Sequence, residues 1–218
     1  MLKRLLLHLW EDVIRGVSGP VGIRLRRGYY RRRLKRCGDA VTIAPGVCFT
    51  APECISLGDN VWIDQNCILI AGAPLSGTPG HCSHDDGEAG IGEIVIGHHS
   101  HVGIGTIIQG HGGVRAGDAF TTSAGVKIYS FSNDFRRCRD GTMRWGESDP
   151  HTILSPVRFG RNVWLGLNSI VIGHSIGSDS FVKPNAVVCS SFPENSLIEG
   201  APALRKGARF EDSAVASR

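Results

Sequence analysis

Repetition every six residues constrains this chain more than any other feature. Within residues 158–206 the units read Phe159-Gly-x-x-Val163-x and Leu165-Gly-x-x-Ser169-x. After a step one residue short come Ile176-Gly-x-x-Ser180-x and Val182-x-x-x-Ala186-x. An aliphatic or aromatic residue opens each unit, glycine often follows, and a small or β-branched residue stands fifth. Six is neither 3.6 nor 2, so the pattern fits neither an amphipathic helix nor an ordinary hairpin sheet. It predicts a parallel β-helix, in which three short strands and three turns make one coil and each coil covers only its neighbours. The repeats begin at Val41 and pass through Leu57-Gly-x-x-Val61-x, Ile63-x-x-x-Cys67-x, Ile96-Gly-x-x-Ser100-x and Thr122-x-x-x-Val126-x. That content supports about six coils of roughly 18 residues each. Glycine, at 29 of 218 residues, suits stacked turns in which a Cβ would collide.

Two interruptions leave the repeat. Residues 72–92 are too rich in Gly, Pro and Asp for strand and read as an extruded loop, and residues 130–156 read as a second excursion. The organisation is therefore a helical and basic segment at 1–40, the repeat domain at 41–206 and a C-terminal tail at 207–218 that frays from Glu211. Leu2, Leu5, Leu6, Leu9, Trp10, Val13, Ile14 and Val17 recur at helical spacing and predict an amphipathic helix. Its apolar run is too short to span a bilayer, and Trp10, Glu11 and Asp12 interrupt what a signal peptide would need. Between Arg24 and Arg36 stand eight basic residues and no acidic one. Two readings stay open: a helix that caps the open end of the β-helix, or one that lies on an anionic membrane surface beside those arginines. Nucleic acid is disfavoured, because Tyr29 and Tyr30 alone make a thin stacking platform. The seven cysteines are odd in number and lack a CxxC pair, so no disulfide framework is expected and a reducing cytoplasm is the simplest home. Cys67, in the fifth place of its hexad, should simply pack inward.

Val163-Trp164-Leu165-Gly166, the hexads after it, the run Val187-Val188-Cys189-Ser190-Ser191-Phe192-Pro193 and Glu199-Gly200-Ala201-Pro202 resemble the C-terminal half of the hexapeptide-repeat acyltransferases. The likeness is to the maltose and galactoside O-acetyltransferases and their polysaccharide-modifying relatives. It implies a left-handed parallel β-helix, a homotrimer, and acetyl-CoA as co-substrate with no metal. The reaction it implies moves an acetyl group to a hydroxyl of a surface polysaccharide or glycoside precursor, in the cytoplasm or at the inner face of the membrane. By the same resemblance the donor lies along Gly166 and Leu167, Pro184, Cys189 and Ser190. A lysine common at the place of Ser190 and a basic residue at the place of Leu204 are missing, so Arg205 and Lys206 would meet the nucleotide phosphates. An acyl-cysteine at Cys189 is the lesser reading beside direct transfer.

Acyl transfer to a hydroxyl needs a base for its proton. In the resembling enzymes that base is a His where the chain leaves a coil for an extruded loop. Here the matching run is Ile128-Tyr129-Ser130-Phe131-Ser132-Asn133-Asp134-Phe135, and the His position falls on Asn133 or Asp134. His111 is the best replacement: Ile108 and Ile128 open equivalent hexads, which places His111 at the corner against Phe131, one coil below. The departure keeps two alternatives alive, a non-catalytic trimeric scaffold and an amino-sugar N-acyltransferase. His81, Cys82, His84, Asp85 and Asp86 in the first excursion are a metal-ligand set in type but read as solvated loop. His98, His99 and His101 read as a surface face. The γ-type carbonic anhydrases share the fold, but their closely spaced ligand pair has no match here. Acceptor choice should reside in residues 72–92 and 130–156.

Overall fold

The computed structural model describes residues 2–72, 81–82, 90–133 and 152–211. From Arg36 onward the chain winds as a left-handed parallel β-helix with three faces. Face A stacks Arg36–Cys37, Ile55–Leu57, Ile94–Ile96, Val114–Ala116, Val157–Phe159 and Ser175–Ile176. Face B stacks Thr42–Ile43, Trp62–Ile63, His101–Val102, Thr121–Thr122, Trp164–Leu165, Phe181–Val182 and Ser196–Gly200. Face C stacks Cys48–Thr50, Ile68–Ile70, Ile107–Gln109, Lys127–Tyr129, Ile170–Ile172 and Val187–Val188. Faces A and C thus give six complete coils. The first strand lies ahead of Val41, pairing Arg36 with Ser56. At the far end Ala203–Ala208 folds back antiparallel on Ser196–Gly200 and covers the edge of face B.

Each hexad position has a physical reason. The opening residue and the fifth residue point inward: Ile43, Leu57, Ile63, Ile96, Val102, Ile128, Leu165 and Val182 are buried, as are Val61, Cys67, Val126, Val163 and Ala186. The fourth residue turns the corner at positive φ, as at Asn60, Asn66, Asn162, Asn168 and Asn185, and asparagine tolerates that conformation. Glycine at the second place answers to the coil above: a Cβ on Gly58 would stand 2.7 Å from the backbone nitrogen of His98.

The N-terminal segment forms two helices, α1 (Leu2–Gly16) and α2 (Gly19–Tyr30). The first follows the expected spacing. The second is missed by the sequence reading, because Gly19, Pro20, Gly22 and Gly28 weaken any helical signal. Tertiary contact supplies the reason for one of them: a Cβ on Gly22 would sit 1.9 Å from the Val17 carbonyl oxygen, so only glycine lets α2 close against the end of α1. The pair caps the first coil. Arg26 is fully buried and donates from Nε to the Ile43 carbonyl at 2.8 Å and from Nη1 to the carbonyls of Ile14 and Val17 at 2.8 and 2.6 Å. Tyr30 packs edge-on against Phe49 with ring centroids 4.7 Å apart. Its phenol is pushed well above the usual range by burial and then by Glu11, whose carboxylate accepts a hydrogen bond from the hydroxyl at 2.9 Å.

Both excursions leave the prism at one edge, the corner where face C passes to face A. They also contain strand, which the composition of residues 72–92 did not suggest. His81–Cys82 runs parallel to Thr152–Leu154, which pairs antiparallel with Phe131–Asn133. The two excursions are therefore stitched together by a small three-stranded sheet outside the coils.

Candidate active site

Sequence and register place His111 on that same edge, between the two excursions along the stack. Ile108 pairs in register with Leu69 below and with Ile128 above. The chain then turns tightly through Gly110 to Gly113, with the Gly113 amide donating to the Gly110 carbonyl at 2.9 Å. Gly112 is required here, since a Cβ would lie 2.0 Å from the Ser130 carbonyl oxygen. Its amide donates to Ser130 Oγ at 3.0 Å, and that hydroxyl donates to the Gln109 carbonyl at 2.7 Å. Ser130 is fully buried and locks the corner of one coil to the corner of the next.

His111 is held on three sides. Its carbonyl accepts from the Gly92 amide at 3.0 Å, and the Gly72 amide donates to the Gly92 carbonyl at 2.7 Å, so the first excursion closes at its base beside the histidine. The imidazole Nδ1 lies 2.8 Å from the Gly72 carbonyl oxygen. The ring meets Phe131 edge-on, with centroids 5.3 Å apart. A carbonyl can only accept, so Nδ1 carries the proton and Nε2 keeps its lone pair. Among the described residues Nε2 has no hydrogen-bond partner. A half-buried imidazole with a fixed tautomer and a free Nε2 is equipped to take a proton.

Asn133 ends the strand Phe131–Asn133, two residues past the ring that His111 touches, and pairs with Thr152. Asp134 lies outside the described residues. Cys189 and Ser190 follow the face C strand Val187–Val188 and are exposed on the same edge as His111, three coil steps further along, about 14 Å at ordinary strand spacing. His174 also stands on this edge, after Gly173 at the one-residue-short step, where the hexad pattern gives no signal for it.

The remaining donor positions fall elsewhere. Gly166, Leu167 and Pro184 occupy the corner between faces B and C. Gly166 answers to packing there, because a Cβ would lie 2.7 Å from the Pro184 nitrogen. Leu167 is half-exposed. Arg205, on the final strand, donates from Nε to Ser196 Oγ at 3.1 Å, and Lys206 beside it is exposed. Lys183 pairs with Glu199, and that hydrogen bond holds the carboxyl below its usual range. One chain therefore presents the expected donor positions on two different edges of the prism.

The other candidates separate. His98 Nδ1 lies 3.0 Å from the Asp59 amide, His99 Nδ1 lies 3.0 Å from Asn60 Nδ2, and His101 Nε2 lies 2.8 Å from Asp64 Oδ2. Each binds a different residue of the coil below. His84, Asp85 and Asp86 lie outside the described residues, and among the described residues no three metal-ligating side chains gather.

No family model matches the chain. It is 30% identical over 176 residues to the dTDP-4-amino-4,6-dideoxy-D-glucose acyltransferase of Escherichia coli, covering 77% of this chain and 80% of that protein. AntD, an N-acyltransferase from Bacillus cereus solved with dTDP and 3-hydroxybutyryl-CoA, superposes with a TM-score of 0.69 at 22% identity, over 85% of this chain and 88% of that one. A hexapeptide-repeat acetyltransferase from Vibrio cholerae solved with acetyl-CoA superposes at 0.57 with 20% identity, over 94% of this chain and 86% of that one. At these identities the two structures speak to the fold alone.

Proposed function

The chain belongs to the hexapeptide-repeat sugar acyltransferases, and from that premise we propose that it transfers an acyl group from acyl-CoA to the amino group of a nucleotide-linked amino sugar, with His111 as the base. The kinship to an enzyme named for a dTDP-amino sugar moves the reading from O-acetylation toward N-acylation. The observation that carries it is the 2.8 Å contact from His111 Nδ1 to the Gly72 carbonyl, which reserves Nε2 as a proton acceptor at the mouth of both excursions.

The chemistry follows from those parts. The neutral amine attacks the thioester carbonyl, giving a tetrahedral oxyanion that carries an ammonium proton. His111 Nε2 accepts that proton, the C–S bond breaks as the carbonyl re-forms, and the departing thiolate takes the proton to leave as free CoA. Asn133 is assigned to orient the acceptor or the thioester, since an amide can donate a hydrogen bond but is no useful base. Asp134 is the rival base within the same run.

The division of donor positions between two edges supports assembly as a homotrimer. A donor contacting Gly166, Leu167 and Pro184 of one copy reaches Cys189, Ser190 and His111 of another when those edges face each other. Arg205 and Lys206 are assigned to the CoA phosphates. Acceptor selection is assigned to the stitched excursions, and the reaction to the cytoplasm, in keeping with the free cysteines Cys37, Cys48, Cys54, Cys67 and Cys189.

Free-thiol release from acetyl-CoA should be measured with dTDP-4-amino-4,6-dideoxyglucose and, separately, with galactosides and maltose. Amide product with the amino sugar is expected. Ester product with the hydroxyl sugars alone would return the O-acetyltransferase reading. CoA binding without turnover on any acceptor would leave the scaffold.

A further inference from the structure

The helix pair buries Ile14 and Tyr30 but leaves a second set of apolar side chains outside. Amphipathic helices on a globular core turn their apolar stripe inward. Here much of the inward surface is polar: Glu11 and Arg26 are buried, Arg26 on three backbone carbonyls, and Glu11 accepts from the hydroxyls of Tyr29 and Tyr30 at 3.0 and 2.9 Å. Outward stand Leu9, Trp10 and Val13 on α1 and Val21 and Leu25 on α2, with Leu9 60% and Val21 63% exposed. The spacings 9/13 and 21/25 put each pair on one helical face. Anchoring the cap has thus used polar groups and left an apolar row on each helix in water.

Charge decides what those rows fit. The acids on the pair are engaged, Glu11 by the tyrosines and Asp12 by Arg15 at 3.3 Å. Arg24 and Arg32 are exposed and Arg27 half-exposed, and among the described residues none of the three pairs with a carboxylate. No described helix is long and apolar enough to cross a membrane. We propose that this cap is a docking surface for an anionic phospholipid bilayer, with the apolar rows in the headgroup boundary, Trp10 at the level where tryptophan is favoured, and the arginines on lipid phosphates. A second copy of the chain is the poorer occupant, because it would bring the two arginine clusters together with only Asp12, already paired with Arg15, exposed on the helices to offset them. The cap and the coils meet through the Ile43 carbonyl and Phe49, so the β-helix would stand on the membrane by its N-terminal end. The inference is independent of the acyl chemistry.

Co-sedimentation of the full chain with vesicles tests it. The intact protein is expected to pellet with phosphatidylcholine vesicles carrying about 30% phosphatidylglycerol, and not with phosphatidylcholine alone. Binding should fall at least about tenfold in about 0.5 M salt, where the Debye length is only a few ångströms. Each arginine near the surface strengthens partitioning by about fivefold, so Arg24→Gln/Arg27→Gln/Arg32→Gln should lose on the order of a hundredfold. Val13→Glu/Leu25→Glu should abolish binding with only a small drop in melting temperature, since Val13 is 54% and Leu25 38% exposed. Failure of the intact protein to pellet with acidic vesicles at low salt overturns the proposal. So does equal binding to neutral vesicles. A Val13→Glu/Leu25→Glu variant that still binds vesicles but falls to a smaller mass in light scattering would show that a second copy covers this face instead.

Discussion

At the scale of single residues, His111 carries the heaviest assignment. His111→Asn keeps an amide hydrogen near the place of Nδ1–H, so the bond to the Gly72 carbonyl is retained while the proposed base is removed. The chemical step should slow by about 10²–10⁴-fold, with acyl-CoA binding nearly unchanged. Asp134→Asn should lose far less. The reverse order in single-turnover kinetics would make the carboxylate the base. Cys67 tests the interior instead. Burial pushes its thiol from near 9 up to about 11. The unfolded chain therefore gives up that proton first, so the stabilisation present below about pH 9 declines as pH rises toward about 11, by about 2–3 kcal/mol. Denaturant melts across that window should be flatter for Cys67→Ala by this amount. Thiol labelling near pH 8 should mark exposed Cys189 and spare Cys67 until unfolding.

At the scale of elements, two joints hold the functional edge and the cap. Gly112 lets the His111 corner stack on Ser130. Gly112→Ala must displace the Ser130 carbonyl or the turn itself, and both kcat and the melting temperature should fall. His111→Asn should lower kcat with a far smaller change in melting temperature, which separates placement of the base from the base itself. Arg26 is the second joint. Arg26→Met removes the side-chain donor to the carbonyls of Ile14, Val17 and Ile43, of which Ile14 keeps only a 3.4 Å bond from the Val17 amide, at about 1–3 kcal/mol for each left dry and unpaired. Hydrogen exchange should then show α1 and α2 losing protection while the stacked strands keep theirs. Loss of protection through the whole stack would mean that the cap nucleates the coils.

At the scale of the whole molecule, the outer surface carries its own pattern. Face C turns outward Ile68, Ile107, Ile170 and Val187 in one register column, broken by Lys127 between Ile107 and Ile170, with Ile172 beside it; face B turns outward Trp62, Trp164 and Phe181, with His101 and Thr121 between the tryptophans. Ile68, Ile172, Trp62 and Trp164 are all exposed in the single chain. Columns of this kind are what an association of solenoids buries. Light scattering of the intact protein should give three times the 23.4 kDa chain mass. Ile107→Glu/Ile170→Glu should yield monomers that keep their β-helix spectrum and lose acyl-CoA binding, as expected of a donor cleft built between two copies. Monomers that still bind acyl-CoA tightly would confine the donor to one chain.

The six-residue period determined the architecture without help from tertiary structure, because its inward positions, left-handed corners and close-stacked glycines are local demands repeated in every coil. It also determined that Ile108 and Ile128 share a register, and so that His111 would meet Phe131. Glycine, proline and basic residues hid α2, and a length of only two or three residues hid the strands at His81–Cys82 and Thr152–Leu154, because those elements exist only by virtue of what they pack on or pair with. The tautomer of His111 was equally invisible: it depends on the Gly72 carbonyl, brought across from another coil. So did the facing of the helices, where hydrophobic spacing announced an amphipathic helix but could not say which side the core would claim. Arg26 decided that, by reaching three carbonyls that only the folded end of the β-helix brings together.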